Sequence, residues 1–207
     1  MPNQASTVDP SWDRFVNLYV EFLEMLSHES ERGSVIIAAA IMDEGLEQLL
    51  KAKLIPSSEK NDELFNGAYA PLENFSAKID LAYRMKLITL KRRSSLHLIR
   101  KLRNDFAHSH IYIHFESHKM HSRVHELFKL NESLLNMFWD LVKKKYNHSI
   151  TEIAGDYVSK HGFDYLVKVM GLKSTFEILS SLIAASLYAF YEENEPLIGK
   201  DEGNFSS

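Results

Sequence analysis

The sequence predicts an all-α protein, built as a single bundle of about eight helices. Only 8 glycines and 5 prolines occur in 207 residues, so few positions interrupt regular structure. Apolar side chains recur at spacings of three and four residues along most of the chain, which is the helical period. An apolar fraction of 45% and a charged fraction of 25% are typical of an ordinary globular domain. Together these observations favour helices that are packed around a common core.

The positions of the helices follow from their start signals and their periodicity. Ser11 is predicted to cap the first helix, and Asn74 or Ser76 is predicted to cap the third. Asn66-Gly67 indicates a loop between the second helix and the third. The predicted helices cover about residues 12–26, 31–54, 75–85, 91–108, 121–146, 151–161, 163–170 and 174–193.

The predicted organisation is one bundle followed by a tail. Its parts are an N-terminal helix (1–30), a helical core (31–120), C-terminal helices of the same bundle (121–195) and a disordered tail (196–207). Within the core, residues 35–42 are apolar on all sides and predict a central, buried helix. Residues 111–115 are predicted to be an extended connector. The longest apolar run, residues 178–191, is shorter than the roughly 20 residues that cross a bilayer, so it predicts a buried helix and no membrane insertion.

Cysteine content and the first residues bear on the cellular compartment. The sequence contains no cysteine, which excludes disulfides, thiolate metal ligands and a cysteine nucleophile, and which suits a reducing cytosol. The first residues lack the basic and apolar regions of a signal peptide. We therefore expect a cytoplasmic protein. No glycine-rich phosphate loop or G-x-S-x-G motif is present, and no cofactor is predicted.

The most concentrated polar chemistry lies in residues 103–108, which we call the RNDFAH segment. It places a cation, an amide, a carboxylate and an imidazole within less than two helical turns. One broad polar side of this helix is predicted to carry Arg100, Arg103, Asn104 and His108. Three roles are compatible with Arg103, Asp105 and His108: a buried polar network that orients an interface or caps a helix end, recognition of a ligand or partner, and catalysis.

A run of basic residues leads into the RNDFAH segment. Residues 81–104 contain eight cations and no acid, in a chain whose net charge is −4. The eight are Arg84, Lys86, Lys91, Arg92, Arg93, Arg100, Lys101 and Arg103. Residues 87–90 are mostly apolar and split the run into at least two patches. We expect a solvated helix face, and nucleic-acid binding through phosphate contacts is the alternative.

Several blocks of the chain resemble the bacterial mannitol operon repressor family. The blocks are ERG and its helix (31–50), FNG with PL (65–67 and 71–72), FSAKI (75–79) and the RNDFAH segment, so the resemblance covers about residues 30–120. The candidate motif or interface residues within them are Phe65, Asn66, Gly67, Lys78, Arg100, Arg103, Asn104, Asp105 and His108.

The resemblance implies an all-helical, self-associating cytoplasmic protein that represses a sugar-alcohol uptake operon. That family is not known for an evident DNA-reading motif. We therefore expect a homodimer or larger assembly that regulates transcription through protein partners, such as other regulators or phosphotransferase components. Direct DNA binding by an unrecognised surface is left open.

The RNDFAH segment also resembles the Arg-x4-His motif of the HEPN superfamily of helical bundles. Many of those proteins are metal-independent RNases whose active site forms where two such motifs meet across a dimer. By that resemblance His108 would be the acid or base, Arg103 would stabilise the charge of the pentacoordinate phosphate, and Asn104 would position the pair. A HEPN-type endoribonuclease or a toxin–antitoxin component is therefore the alternative function.

Histidines are concentrated in the middle of the chain. Seven of the ten are His97, His108, His110, His114, His118, His121 and His125. On a helix His118, His121 and His125 can face one way, which makes them candidate ligands for Zn²⁺ or another transition metal. No His-Glu-x-x-His pattern accompanies them, and our prediction is that the protein has no metal site.

Overall fold

The computed structural model describes residues 10–58, 62–67, 69–108, 114–145 and 151–189. Within these ranges every regular element is a helix, so the prediction of an all-α fold is confirmed. The helices are α1 (Pro10–Ser27), α2 (Glu31–Lys51), α3 (Phe75–Arg84), α4 (Leu90–His108), α5 (His118–Lys145) and α6 (Thr151–Ala189). The predicted tail (196–207) and most of the predicted connector (111–115) lie outside the described residues.

The helix count differs from the prediction of about eight, since the described residues form six helices. The sequence predicts three helices after residue 150, but residues 151–189 form the single element α6. Inside it Gly162 and Gly171 adopt φ angles of +66° and +83°, a conformation that glycine reaches without the steric cost of a Cβ. The backbone at both glycines is not helical, so α6 is interrupted at the predicted breaks.

Side-chain caps fix where α2, α3 and α4 begin. The Ser30 hydroxyl accepts a hydrogen bond from the Gly33 amide at the start of α2 (3.0 Å). Asn74 Oδ1 accepts one from the Ala77 amide at the start of α3 (2.9 Å). Of the two predicted candidates for this cap, Asn74 is therefore the one that is used. At the start of α4, the Thr89 hydroxyl accepts a hydrogen bond from the third amide of the helix. Such caps satisfy amides that have no partner within the helix.

The centre of the bundle is the C-terminal half of α6. α6 packs against α1, α2 and α5, and α4 packs against α2, α3 and α5. Nearly all side chains from residue 175 to residue 189 are buried, which confirms the prediction of a buried helix there. Across the part of the chain that the structure describes, no helix combines the length and apolar content that a bilayer-crossing span needs.

The middle of α2 is buried on one side only. Val35 and Met42 are fully buried, but Ile36 is 38% exposed and Ala40 is exposed as well. The prediction that residues 35–42 are buried on all sides is therefore wrong. α2 packs against α1, α3, α4 and α6, while the side that carries Ile36 and Ala40 remains at the surface. An apolar composition does not reveal that difference.

One continuous core joins the loop after α2 to α4. Phe65, from that loop, is 3% exposed, and Phe106, from the RNDFAH segment, is also 3% exposed. Phe75, Ile79 and Ile99 belong to the same buried cluster. These five side chains therefore supply apolar volume to one common core.

Candidate functional site

The RNDFAH segment is the C-terminal end of α4. Its Phe106 side chain is buried, whereas those of Arg103, Asn104 and Asp105 are partly exposed. The side chain of His108, the last residue of the helix, lies outside the described part of the structure. The described contacts of the segment are with α2 and α5.

Asp105 connects α4 to α5. Its Oδ2 atom lies 2.7 Å from Lys119 Nζ, and the same oxygen accepts a short hydrogen bond from Arg123 Nη1. Burial alone would raise the pKa of Asp105, but the hydrogen bond from Lys119 and the charge and hydrogen bond of Arg123 outweigh it and hold that pKa below its usual value. Asp105 therefore belongs to a polar network, as predicted. Its partners in that network are cations of α5, which the sequence did not indicate.

Arg32, on α2, holds the C-terminal carbonyls of α4. Its Nε donates to the Phe106 carbonyl oxygen at 2.8 Å, and its Nη2 donates to the Ala107 carbonyl oxygen at 3.5 Å. The last carbonyls of a helix have no partner within the helix, and a cation beside them is favoured by the helix dipole. The conformation of the RNDFAH segment is therefore fixed by a residue 74 positions earlier.

Lys78 bridges α3 to α2 through two carboxylates. Its Nζ atom donates a hydrogen bond to Glu47 Oε2 at 2.8 Å and lies 3.0 Å from Asp43 Oδ1. Burial would lower the pKa of Lys78, but its contacts with Glu47 and Asp43 outweigh burial and raise it. Burial would raise the pKa of Glu47, but hydrogen bonds from Lys51 and Lys78 lower it. Lys78, a residue the sequence predicts for the site, is therefore a structural clamp.

Arg103 lies on the same side of the bundle as this clamp. Burial raises the pKa of Asp43, while Lys78 and, more weakly, the charge of Arg103 oppose the shift. Within the described ranges no hydrogen bond or ion pair of Arg103 is formed, and Nε of Arg100, which is buried, also has no hydrogen-bond partner there. The charge of Arg103 therefore acts weakly on Asp43, which is paired with Lys78, whereas Asp105 pairs with residues of α5.

The basic run does not form one cationic surface. Arg92 is 4% exposed, and its Nη1 donates to Asn131 Oδ1 at 3.1 Å, while burial lowers its pKa to about 10. Arg93 pairs with Asp80 at 2.7 Å and lies over the ring of Tyr83. Arg92 is therefore buried away from any nucleic-acid surface, and the charge of Arg93 is paired with an acid of α3.

The FNG loop is built for packing and for a turn. Lys51 Nζ lies 4.9 Å from the centre of the Phe65 ring, and the Asn66 amide donates to the Asp62 carbonyl oxygen at 2.9 Å. Gly67 has a φ of +123°, which explains the choice of glycine. An open depression of about 670 Å³ lies beside the loop and is lined by Lys51 and residues 54–58 and 62–64, away from the RNDFAH segment.

The histidines proposed as metal ligands make ring contacts instead. The His125 ring stacks on Phe163 with a centroid distance of 4.6 Å, and the His121 ring meets the same phenyl ring edge-on at 5.2 Å. His118 is exposed. In the described ranges no group of three or more histidine, aspartate or glutamate side chains is arranged to hold a metal ion.

Three residues that matter to the site were not found from the sequence: Arg32, Lys119 and Arg123. Each belongs to a different helix from the RNDFAH segment, and no local pattern links them to it. Comparison of the chain with protein-family models, with curated proteins and with solved structures gives no match.

Proposed function

We propose that the chain is a cytoplasmic transcriptional regulator of the mannitol operon repressor type, which self-associates and acts through protein partners. The observation that supports this proposal is the use of the RNDFAH segment as a packing element. Asp105 is bound by Lys119 and Arg123, and Arg32 caps the carbonyls of Phe106 and Ala107.

A segment with these contacts holds three helices together. The Asp105 carboxylate joins α4 to α5, and the carbonyls of Phe106 and Ala107 join α4 to α2 through Arg32. Such contacts suit a rigid scaffold that presents its outer surface to other molecules. A regulator that works through partners needs such a scaffold, and it needs no DNA-reading helix of its own. The blocks that resemble the repressor family coincide with the loop, the clamp and the end of α4, all of which have structural contacts here.

The test is a binding experiment with the components of the mannitol phosphotransferase system. Purified chain is immobilised, each component is passed over it, and a gel shift on the mannitol operator is run in parallel. Retention of a component without a gel shift supports regulation through partners. A gel shift by the chain alone replaces that mechanism with direct DNA recognition. Absence of both, together with unchanged operon expression when the gene is deleted, overturns the proposal.

The second candidate is a HEPN-type metal-independent endoribonuclease. The observation in its favour is that Arg103 has no hydrogen bond or ion pair within the described ranges and that Nε of Arg100 has no hydrogen-bond partner there. Such guanidinium groups are suited to phosphate charge. RNA is incubated in EDTA with wild type, with His108→Ala and with the matched control His118→Ala. Cleavage that only His108→Ala loses supports an RNase, and no cleavage by wild type removes this candidate.

A further inference from the structure

The turn between α3 and α4 carries cations that are not buried between helices. Arg84 and Lys86 are exposed, and Leu90, the first residue of α4, has an apolar side chain that is 58% exposed. We call these three residues the basic corner. Lys91, which follows Leu90, is exposed as well. The basic corner is what remains of the basic run at this end of α4 once Arg92 is buried.

The backbone of the basic corner is fixed by a Schellman motif at the end of α3. The Leu87 amide donates to the Ala82 carbonyl oxygen, and the Lys86 amide donates to the Tyr83 carbonyl oxygen, both at 2.9 Å. Lys86 has a φ of +60° and occupies the position at which helices usually carry glycine. A side chain with a Cβ is disfavoured in this left-handed conformation.

The choice of lysine at that position points to a role for its charge. Glycine would give the same turn without strain, so the fold itself gains nothing from Lys86. Backbone strain that the fold does not need is found preferentially at functional positions. Lys86 is exposed and, within the described ranges, it makes no ion pair, so its ammonium group is presented to solvent on a rigid turn.

The neighbouring acid does not cancel this charge. Asp80 is the acid that precedes the run, and it is bound by Arg93 at 2.7 Å and by His97 at 3.2 Å. The hydrogen bond from Arg93 is the main reason that the pKa of Asp80 lies below its usual value. The N-terminal end of α4 lies at the same turn and adds the positive end of its dipole.

We propose that the basic corner binds an acidic segment of a partner protein, with carboxylates on Arg84 and Lys86 and an apolar side chain on Leu90. An exposed leucine between cations has no counterpart on a phosphodiester backbone, but it matches a peptide in which acidic residues flank an apolar one. The proposal rests on the proposed function only for the identity of the partner as a regulatory component. The binding chemistry stands on the corner itself.

The test measures fluorescence anisotropy with a synthetic labelled peptide in which glutamates flank a Leu-Leu pair. A twin peptide with glutamine at every glutamate and a labelled single-stranded DNA are measured beside it. Wild type is expected to bind the acidic peptide, with an affinity that falls as salt is raised, and to ignore the glutamine twin. Arg84→Gln/Lys86→Gln should weaken binding about tenfold or more, and Leu90→Ala should weaken it about threefold.

A matched control has the same loss of charge elsewhere on the surface. Lys101→Gln/Lys129→Gln removes two exposed lysines and should leave the affinity within about twofold of wild type. Lys86→Gly distinguishes an effect on binding from an effect on stability. It should raise Tm by roughly 2 °C, because it relieves the strained turn, and it should still weaken peptide binding.

Several results would overturn the proposal. They are no binding by wild type, equal binding of the glutamine twin, and equal loss of affinity in the control variant. Tighter binding of the DNA through Arg84 and Lys86 would make the basic corner a nucleic-acid surface instead. A negative peptide result combined with retention of a phosphotransferase component would refute the basic corner alone and leave the proposed function in place.

Discussion

Replacing Lys78 with methionine tests the clamp between α2 and α3 while keeping a side chain of similar length. The Lys78 side chain is 5% exposed, and those of Asp43 and Glu47 are 30% and 23% exposed. A hydrogen bond between charged groups contributes about 1.5–3 kcal/mol, and breaking a fully buried pair costs about 3–5 kcal/mol. Because both carboxylates retain contact with water, the lower range applies.

We therefore expect Lys78→Met to reduce the free energy of unfolding by about 2 kcal/mol, which corresponds to a fall in Tm of roughly 4–8 °C for a chain of this size. Urea unfolding followed by circular dichroism measures the change. The exposed Lys101→Met is the matched control and should stay within about 0.5 kcal/mol of wild type.

The pH dependence has a definite sign. Burial raises the pKa of Asp43 above its ordinary value of 3.8. Protonated Asp43 therefore contributes to stability below pH 3.8, and this contribution is lost as pH rises through the folded pKa. The pKa of Glu47 is lowered from 4.5, so its contribution is present above that value and is lost as pH falls through the folded pKa. The penalty of Lys78→Met should consequently begin to shrink where Asp43 takes up its proton, above pH 3.8, and should disappear only when pH has fallen below 4.5 and through the lowered folded pKa of Glu47.

Two results would refute this account. One is a Lys78→Met variant whose unfolding free energy matches that of Lys101→Met. The other is a penalty that stays constant across the acid range. In the Lys78→Met background, Asp43→Asn should recover part of the loss, because it removes a carboxylate that has lost its cation, and strict additivity of the two substitutions would show that the residues do not interact.

Three further substitutions test other contacts. Asp105→Asn should reduce the free energy of unfolding by about 1 kcal/mol at neutral pH, since its cationic partners are partly exposed. Because the pKa of Asp105 is lowered from 3.8, this penalty should vanish as pH falls through the folded pKa. A penalty in urea unfolding that does not change with pH would contradict the prediction. Gly45→Ala should cost about 1–3 kcal/mol, because the new Cβ would lie 2.7 Å from Tyr188 Cε2; a higher Tm would show that the ring yields. His125→Ala should reduce the free energy of unfolding by about 1 kcal/mol through the lost stacking on Phe163. Zn²⁺ should leave the wild-type Tm unchanged in differential scanning calorimetry. A rise in Tm with Zn²⁺ that this variant abolishes would restore the metal hypothesis.

Local signals in the sequence predicted several helix ends correctly, although not the number of helices. The start of α2 at Glu31, the Asn74 cap of α3 and the end of α4 at His108 agree with the prediction, because capping residues and a 3.6-residue period act over a few neighbours. The same holds for the glycine breaks within α6, where the sequence places the interruptions correctly but cannot show whether the pieces remain one element.

The contacts of the RNDFAH segment could not be found in this way. Asp105 meets Arg123 only because α5 returns along α4, and Arg32 reaches the end of α4 from another helix. Arg92 reads as a surface cation in the sequence and is buried in the structure. Which side of a helix is covered depends on neighbours that are distant in the chain, and periodicity within one helix does not contain that information.

The packing of the first helix against the last has a consequence for synthesis. α1 buries Phe15, Phe22 and Leu26, and its most extensive partner is α6. At about 5–20 residues per second on the ribosome, α1 emerges roughly 8–30 seconds before the end of the helix that covers it. Contacts between such distant segments also form late, since the long intervening chain must be ordered first. During that interval the nascent chain carries an uncovered apolar helix, which makes it a natural client for chaperones, and a translation stop before α6 would leave that surface without its partner.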